Sequence, residues 1–408
     1  MKLKTGACFS LITLVAFLCL SAGAQTYSVI HDFRESIDGS SPNTGVTLKG
    51  SALYGPLVLG AGGSASGVYQ ITKVGSTWTS TALALLSKGG GEVSSRIAFG
   101  PDGHLYGAAG IGGTCSYKGY VYELLPPLRI CTTLRCYWAE KDLHYFGCGS
   151  DGAYGQDGDL VFDQQGNIYG TTGQGGDWNL GTVFKLERSG NDWIEHVLYS
   201  FFGQPDGSFV YSGVISDSSG NLYGVASQGG TMNSGTIFEL SYDGVGWTEH
   251  SIYNFEIGEK PFAGLVQDAS GNFYGATMGG GTGGGGTVFE LSPAGNSWNY
   301  QVLYSFSGAN NCGPWAALTL DASGNLYGTT ACDGAHNLGN VFKLTNTGNG
   351  WVYSSLHDFA GGADGSNPHS NVSIAADGTL YGTTMQGGSF YQQCYNNGGC
   401  GTVWMITP

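Results

Sequence analysis

The sequence predicts an all-β protein: a seven-bladed β-propeller of four-stranded antiparallel blades whose N-terminal strand completes the last blade. Three observations carry this. A Tyr-Gly phrase recurs at Tyr54, Tyr106, Tyr169, Tyr223, Tyr274, Tyr327 and Tyr381, as in "GNLYGTT" from Gly324 to Thr330. Each unit of about fifty residues holds four short β-type runs, the pattern of a propeller blade. Finally, "YSVIHDF" (Tyr27 to Phe33) matches the last run of the sixth unit, "YSSLHDF" (Tyr353 to Phe359), whereas the seventh unit stops after its third run, "GTVWMI" (Gly401 to Ile406).

Met1 to Ala24 reads as a secretory signal. Lys2 and Lys4 precede an apolar run, and Ala22-Gly23-Ala24 supplies the small residues before cleavage. The run is shorter than the roughly 20 apolar residues of a membrane span. Residues 25–408 are expected to form one soluble, exported propeller domain. The net charge of −15 repels phosphate backbones and disfavours a nucleic-acid partner. Gly 73 and Pro 11, together about a fifth of the chain, stay below the level of low-complexity disorder, and 13% aromatics argue for a packed core.

In the fifth unit the strands, named a to d, are "AGLVQD" (Ala263 to Asp268), "NFYGAT" (Asn272 to Thr277), "GTVFEL" (Gly286 to Leu291) and "NYQVLYSF" (Asn299 to Phe306). Between a and b, "DASGN" places Asp to cap the turn and Gly where positive φ is needed. The Gly after each Tyr lies inside a strand, where it costs roughly 0.5 to 1 kcal/mol against Ala. Close approach of neighbouring blades is the expected reason, with Tyr filling the gap between them. The N-terminal run then closes the ring and covers an exposed sheet edge.

Eight cysteines remain after the leader. In a propeller the d–a and b–c loops share one face, which predicts Cys115 with Cys148, Cys312 with Cys332, Cys131 with Cys136, and Cys394 with Cys400. No paired CxxC arrangement supports zinc.

The unit, with its "GNLYGTT", Gly-Gly loop, "GTVF.L", Gly-Trp turn and "LYSF", resembles the GloVer-type (Gloeobacter/Verrucomicrobia) tandem repeat of exported bacterial proteins. The resemblance covers nearly all of the mature chain. It implies a propeller in an envelope or extracellular setting and carries no agreed activity.

Catalytic patterns are sparse. His31, His144 and His357 stand two residues before the closing Phe of strand d on separate blades, so they are read as structural. "GGGTGGGG" (Gly279 to Gly286) is a b–c loop without the helix of a dinucleotide site. No GxSxG elbow occurs, and Arg34, Arg96, Arg129, Arg135 and Arg188 do not form a sialidase-like cluster. Asp-Gly pairs at Asp38, Asp151, Asp206 and Asp364 are read as turns, with calcium as the alternative. No metal or cofactor is expected.

The informative slot lies twelve residues before the Tyr anchor, at the entrance to strand a. It holds Asp157, Tyr211, Phe262, Trp315 and His369, with Asn43 close to the matching place. These residues vary where the framework repeats, and they should ring the channel mouth. Trp178, in a b–c loop of the same face, joins the candidate set. Such a ring suits stacking on sugars or gripping a peptide. The leading expectation is a monomeric binding module for extracellular carbohydrate or an envelope partner. The alternatives are a carbohydrate-active enzyme, either a lyase with Tyr211 and His369 as base and acid or a hydrolase, and a structural envelope protein.

Overall fold

A computed structural model describes residues 25–60, 66–86, 93, 95–113, 118–127, 137–147, 150–155, 158–308, 311–390, 394 and 398–408. The proposed leader, residues 1–24, lies outside them. The described residues form seven four-stranded antiparallel sheets and one small two-stranded pairing. In the fifth blade, strands a to d are Val266–Gln267, Phe273–Thr277, Thr287–Ala294 and Ser297–Ser305. Strand a is thus shorter than expected. The twisted sheets converge at the axis, and the residues before Val266 leave the ladder to line the channel instead.

The ring closes where the N-terminal strand was expected to close it. Thr26–Asp32 pairs antiparallel with Thr402–Thr407, Tyr27 opposite Ile406 and Asp32 opposite Thr402. The Phe33 N–H then donates to the Gly401 carbonyl at 3.2 Å. Seven buried apolar clusters follow, each shared by two adjacent blades, including one that joins Phe33 and Val403 of blade 7 to Leu53 and Tyr69 of blade 1.

The glycine after each Tyr has a different cause from the one expected. It is covered by an aromatic ring from the facing residue of strand c in its own blade. A Cβ on Gly328 would lie 2.6 Å from Cζ of Phe342, and one on Gly275 would lie 2.4 Å from Cζ of Phe289. That ring in turn meets, edge to face, the Phe that closes strand d of the preceding blade, as in Phe306 with Phe342 at 5.1 Å and Phe33 with Tyr69 at 5.0 Å. Glycine therefore makes room for the ring that bridges two blades. Tyr does fill the gap on the next side, with Tyr106 against Phe162 at 5.0 Å and Tyr54 against Phe99 at 5.1 Å.

The turn chemistry is as expected. Asp321 Oδ1 accepts from the Ser323 and Asn325 N–H groups, its Oδ2 accepts from Asn325 Nδ2 and the Tyr327 hydroxyl, and Gly324 has φ 79°. Burial alone would raise the Asp321 carboxyl, but these hydrogen bonds hold it below its ordinary value. The Asp-Gly aspartates cap their own loops: Asp364 accepts from the Ala360 N–H and meets His357 Nε2 at 3.0 Å, while Asp206 accepts from the Tyr199 hydroxyl. The d-strand histidines thus pin local turns on separate blades.

Cys312–Cys332 and Cys394–Cys400 are disulfides, with Cα separations of 4.7 and 5.3 Å. Cys115, Cys131, Cys136 and Cys148 lie outside the described residues. Among those residues no helix is long and apolar enough to cross a membrane.

Two glutamates at matching positions of strand d make one pH effect predictable. Burial, reinforced by the Asp151 charge, pushes the Glu195 carboxyl up to about 7. Burial also raises Glu249 to about 7, against the Ser251 hydrogen bond and with help from Asp206. Raised folded-state values mean that ionisation costs stability, so this contribution is intact in acid and declines as pH rises toward 7. The Glu195→Gln/Glu249→Gln variant should melt like wild type near pH 4.5 and higher at pH 8. Partial exposure limits the gain to about 1 kcal/mol, roughly 1 °C in Tm. Equal melting curves at pH 8 would contradict this account.

Candidate binding site at the channel mouth

The chain enters each blade through a segment that crosses the channel mouth before strand a. In blades 1, 4 and 7, among others, this segment turns inward at a non-glycine residue of positive φ: Ser41 (57°), Phe209 (56°) and Asn367 (55°). The N–H of each donates to a carbonyl of the preceding blade, Cys400, Leu180 and Leu338 respectively, at 2.8 Å. Two residues further on come Asn43, Tyr211 and His369, which line the mouth. In blade 6 the Cys312–Cys332 disulfide ties the entry segment to the b–c loop just before Trp315.

These segments surround a cavity of about 520 Å³. Five of the seven residues singled out from sequence line it: Asn43, Tyr211, Phe262, Trp315 and His369. Trp178 is not among the lining residues; it stands 65% exposed on the b–c loop of blade 3. Asp157 lies outside the described residues.

The aromatic members form an arc across four consecutive blades. Tyr211 stacks on Phe262 at 5.8 Å, Phe262 on Trp315 at 5.5 Å and Trp315 on His369 at 4.7 Å, with interplanar angles of 11°, 29° and 8°. Phe209 extends the arc behind Tyr211 at 6.2 Å. Each ring is braced by its neighbours, so the wall is apolar and already ordered. Trp315 is 36% exposed and offers the arc's freest surface. Burial lowers the His369 imidazole to about 4, so it is neutral at pH 7 and packs as an aromatic ring.

A second tier, two residues deeper, was not foreseen. It runs Gly45, Arg96, Asp159, Gly213, Gly264, Ala317 and Asn371, and all seven line the cavity. Below Tyr211, Phe262 and Trp315 the tier is small, with Gly213, Gly264 and Ala317 opening the space, whereas Asn371, Arg96 and Asp159 make it polar elsewhere. Arg96 of blade 2 grips Asp159 of blade 3 through Nε at 2.7 Å and Nη2 at 2.5 Å, and its backbone N–H donates to Asp159 Oδ1 at 3.1 Å. Burial works against the Arg96 charge, yet the Asp159 carboxylate outweighs it and raises the guanidinium above its ordinary value. Applying the Tyr-anchor alignment ten residues upstream instead of twelve would have found this tier.

The described residues also include one compact donor set of metal-binding type, Asp102 and His104 of the a–b turn of blade 2 with Glu123 of its strand c. His104 Nδ1 meets Glu123 Oε1 at 2.6 Å, and the Tyr106 hydroxyl donates to Asp102 at 2.8 Å. The groups satisfy one another as a hydrogen-bonded turn.

A family model described as the Gloeobacter/Verrucomicrobia repeat matches residues 138–258 and 247–408. The chain belongs to this repeat family. No curated protein matches it. Among solved structures, the Gloeobacter/Verrucomicrobia repeat chain is similar to the extracellular domain of the putative one component system BT4673 from B. thetaiotaomicron. The TM-score is 0.55 at 9% identity, over 93% of this chain and 40% of that one. It is also similar to a polysaccharide lyase of family PL25, an ulvan lyase, with TM-score 0.53 at 12% identity over 86% and 93% of the two chains. At such identities the likeness is one of fold, shared by the Gloeobacter/Verrucomicrobia repeat and these propellers.

Proposed function

We propose that this protein is an exported binding module that holds an extracellular glycan in the channel mouth. The observation that carries the reading is the braced arc of Tyr211, Phe262, Trp315 and His369 beside an open cavity of about 520 Å³. Sugar rings present C–H faces that rest on aromatic surfaces, and their hydroxyls need polar partners such as those of the facing tier. A wall ordered before binding reduces the conformational cost of capture. The two disulfides support an oxidising, extracytoplasmic setting, and the fold neighbours include an extracellular domain and a polysaccharide lyase.

A lyase using Tyr211 as base and His369 as acid fits less well, because Phe262 and Trp315 stand between them in the arc. A glycan array tests the binding reading. The wild-type protein should bind at least one glycan, and Phe262→Ala/Trp315→Ala should weaken that binding by roughly tenfold to a hundredfold. Gly264→Leu offers a second route: a Cβ there meets nothing closer than 3.6 Å, so the side chain should plug the cavity while the fold melts normally. Binding unchanged in both variants, or none above background in wild type, overturns the proposal.

A further inference from the structure

We infer that the glycan held at the mouth is uncharged, a neutral hydroxyl-rich oligosaccharide and not a uronate or sulfated chain. The inference rests on the binding reading above and deepens it. Its basis is the state of the charges in the wall. Among the described residues lining the cavity, Arg96 is the only lysine or arginine and Asp159 the only carboxylate, and the two neutralise each other through three contacts of 2.5 to 3.1 Å. An anionic sugar would have to strip Arg96 from Asp159, leaving a carboxylate unpaired beside the new one, at a cost a neutral sugar avoids. His369 brings no positive charge at neutral pH, and the chain as a whole carries a net charge of −15, which repels polyanions.

The unmet hydrogen bonds point the same way. Asn43 Oδ1 and Asn371 Oδ1 have no donor, and Asn371 is only 7% exposed, its amide pressed against Gly45. Both side chains line the cavity. Buried acceptors without donors are costly, and a ligand that brings hydroxyl donors relieves that cost when the amides turn toward it. A carboxylate or sulfate group placed against these oxygens offers only acceptors and cannot, so the part of the ligand that meets them must be hydroxyl-bearing.

The test compares neutral gluco-, manno-, galacto- and xylo-oligosaccharides with polygalacturonate and alginate oligosaccharides by titration calorimetry. Wild type should bind a neutral probe at least about tenfold more tightly than either uronate, with an affinity that changes less than about twofold between 50 and 500 mM NaCl. Asp159→Asn, which frees the Arg96 charge, should gain about tenfold toward the uronates. Should that variant fail to fold, the wild-type preference and salt response still decide. Uronates binding more tightly than neutral probes, or a neutral affinity that collapses with salt, overturns this inference while leaving glycan binding intact. Failure of every probe removes the binding reading and this inference together.

Discussion

Deleting Tyr27–Phe33 should abolish folding. The segment supplies the outer strand of blade 7, pairing with Thr402–Thr407 along six residue pairs, and it ends in Phe33, which is fully buried against Tyr69 of blade 1. Without it the edge bearing Val403 and Trp404, both fully buried in the intact ring, would face water as an open template for aggregation. Two of the seven inter-blade clusters would lose members at once, since Tyr27 packs with the cluster between blades 6 and 7. The truncated chain should accumulate as aggregate, and a synthetic peptide spanning residues 25–38 added during refolding should recover soluble protein. A truncation that is soluble and melts cooperatively without the peptide would refute the closure argument.

Gly328→Leu is the second large effect. The new side chain would start 2.6 Å from Cζ and 2.9 Å from Cε1 of Phe342, with Leu318 Cδ2 at 3.0 Å. Phe342 has nowhere to go: it is fully buried and already meets Phe306 of the preceding blade. Overpacking of this kind should cost about 3 kcal/mol, lowering Tm by roughly 4 °C for a ring of this size. Because the two sites share one space, their effects should not add: Phe342→Ala in the same chain should recover part of the loss. Wild-type melting of Gly328→Leu would show that the ring does not depend on that gap.

The architecture was legible because repetition magnifies weak signals. One Asp-x-x-Gly-Asn-x-Tyr turn is a modest hint, but its copies at Asp163, Asp217, Asp268 and Asp321 share one hydrogen-bond scheme, and alignment on Tyr exposes it. The same alignment located Asn43, Tyr211, Phe262, Trp315 and His369, since residues in one slot of a wheel point to one place. It misjudged the glycines, because the ring occupying each gap comes from strand c of the same blade, a cross-strand pairing that strand order alone does not rank above contact between blades. The polar tier escaped notice for a related reason. Arg96 and Asp159 are 63 residues apart and become partners only when blades 2 and 3 stand side by side. Trp178 shared a loop class with no others of its kind, so nothing constrained where it would point.

The pairing of Thr26–Asp32 with Thr402–Thr407 also sets an order of events in time. The strand Thr26–Asp32 must wait, unmatched, until residues 402–407 have emerged from the ribosome. Contacts so remote along the chain form late, so the wheel locks only once both strands have been made. The blades made in between therefore remain an open arc, held by their own contacts, until that last seam is joined.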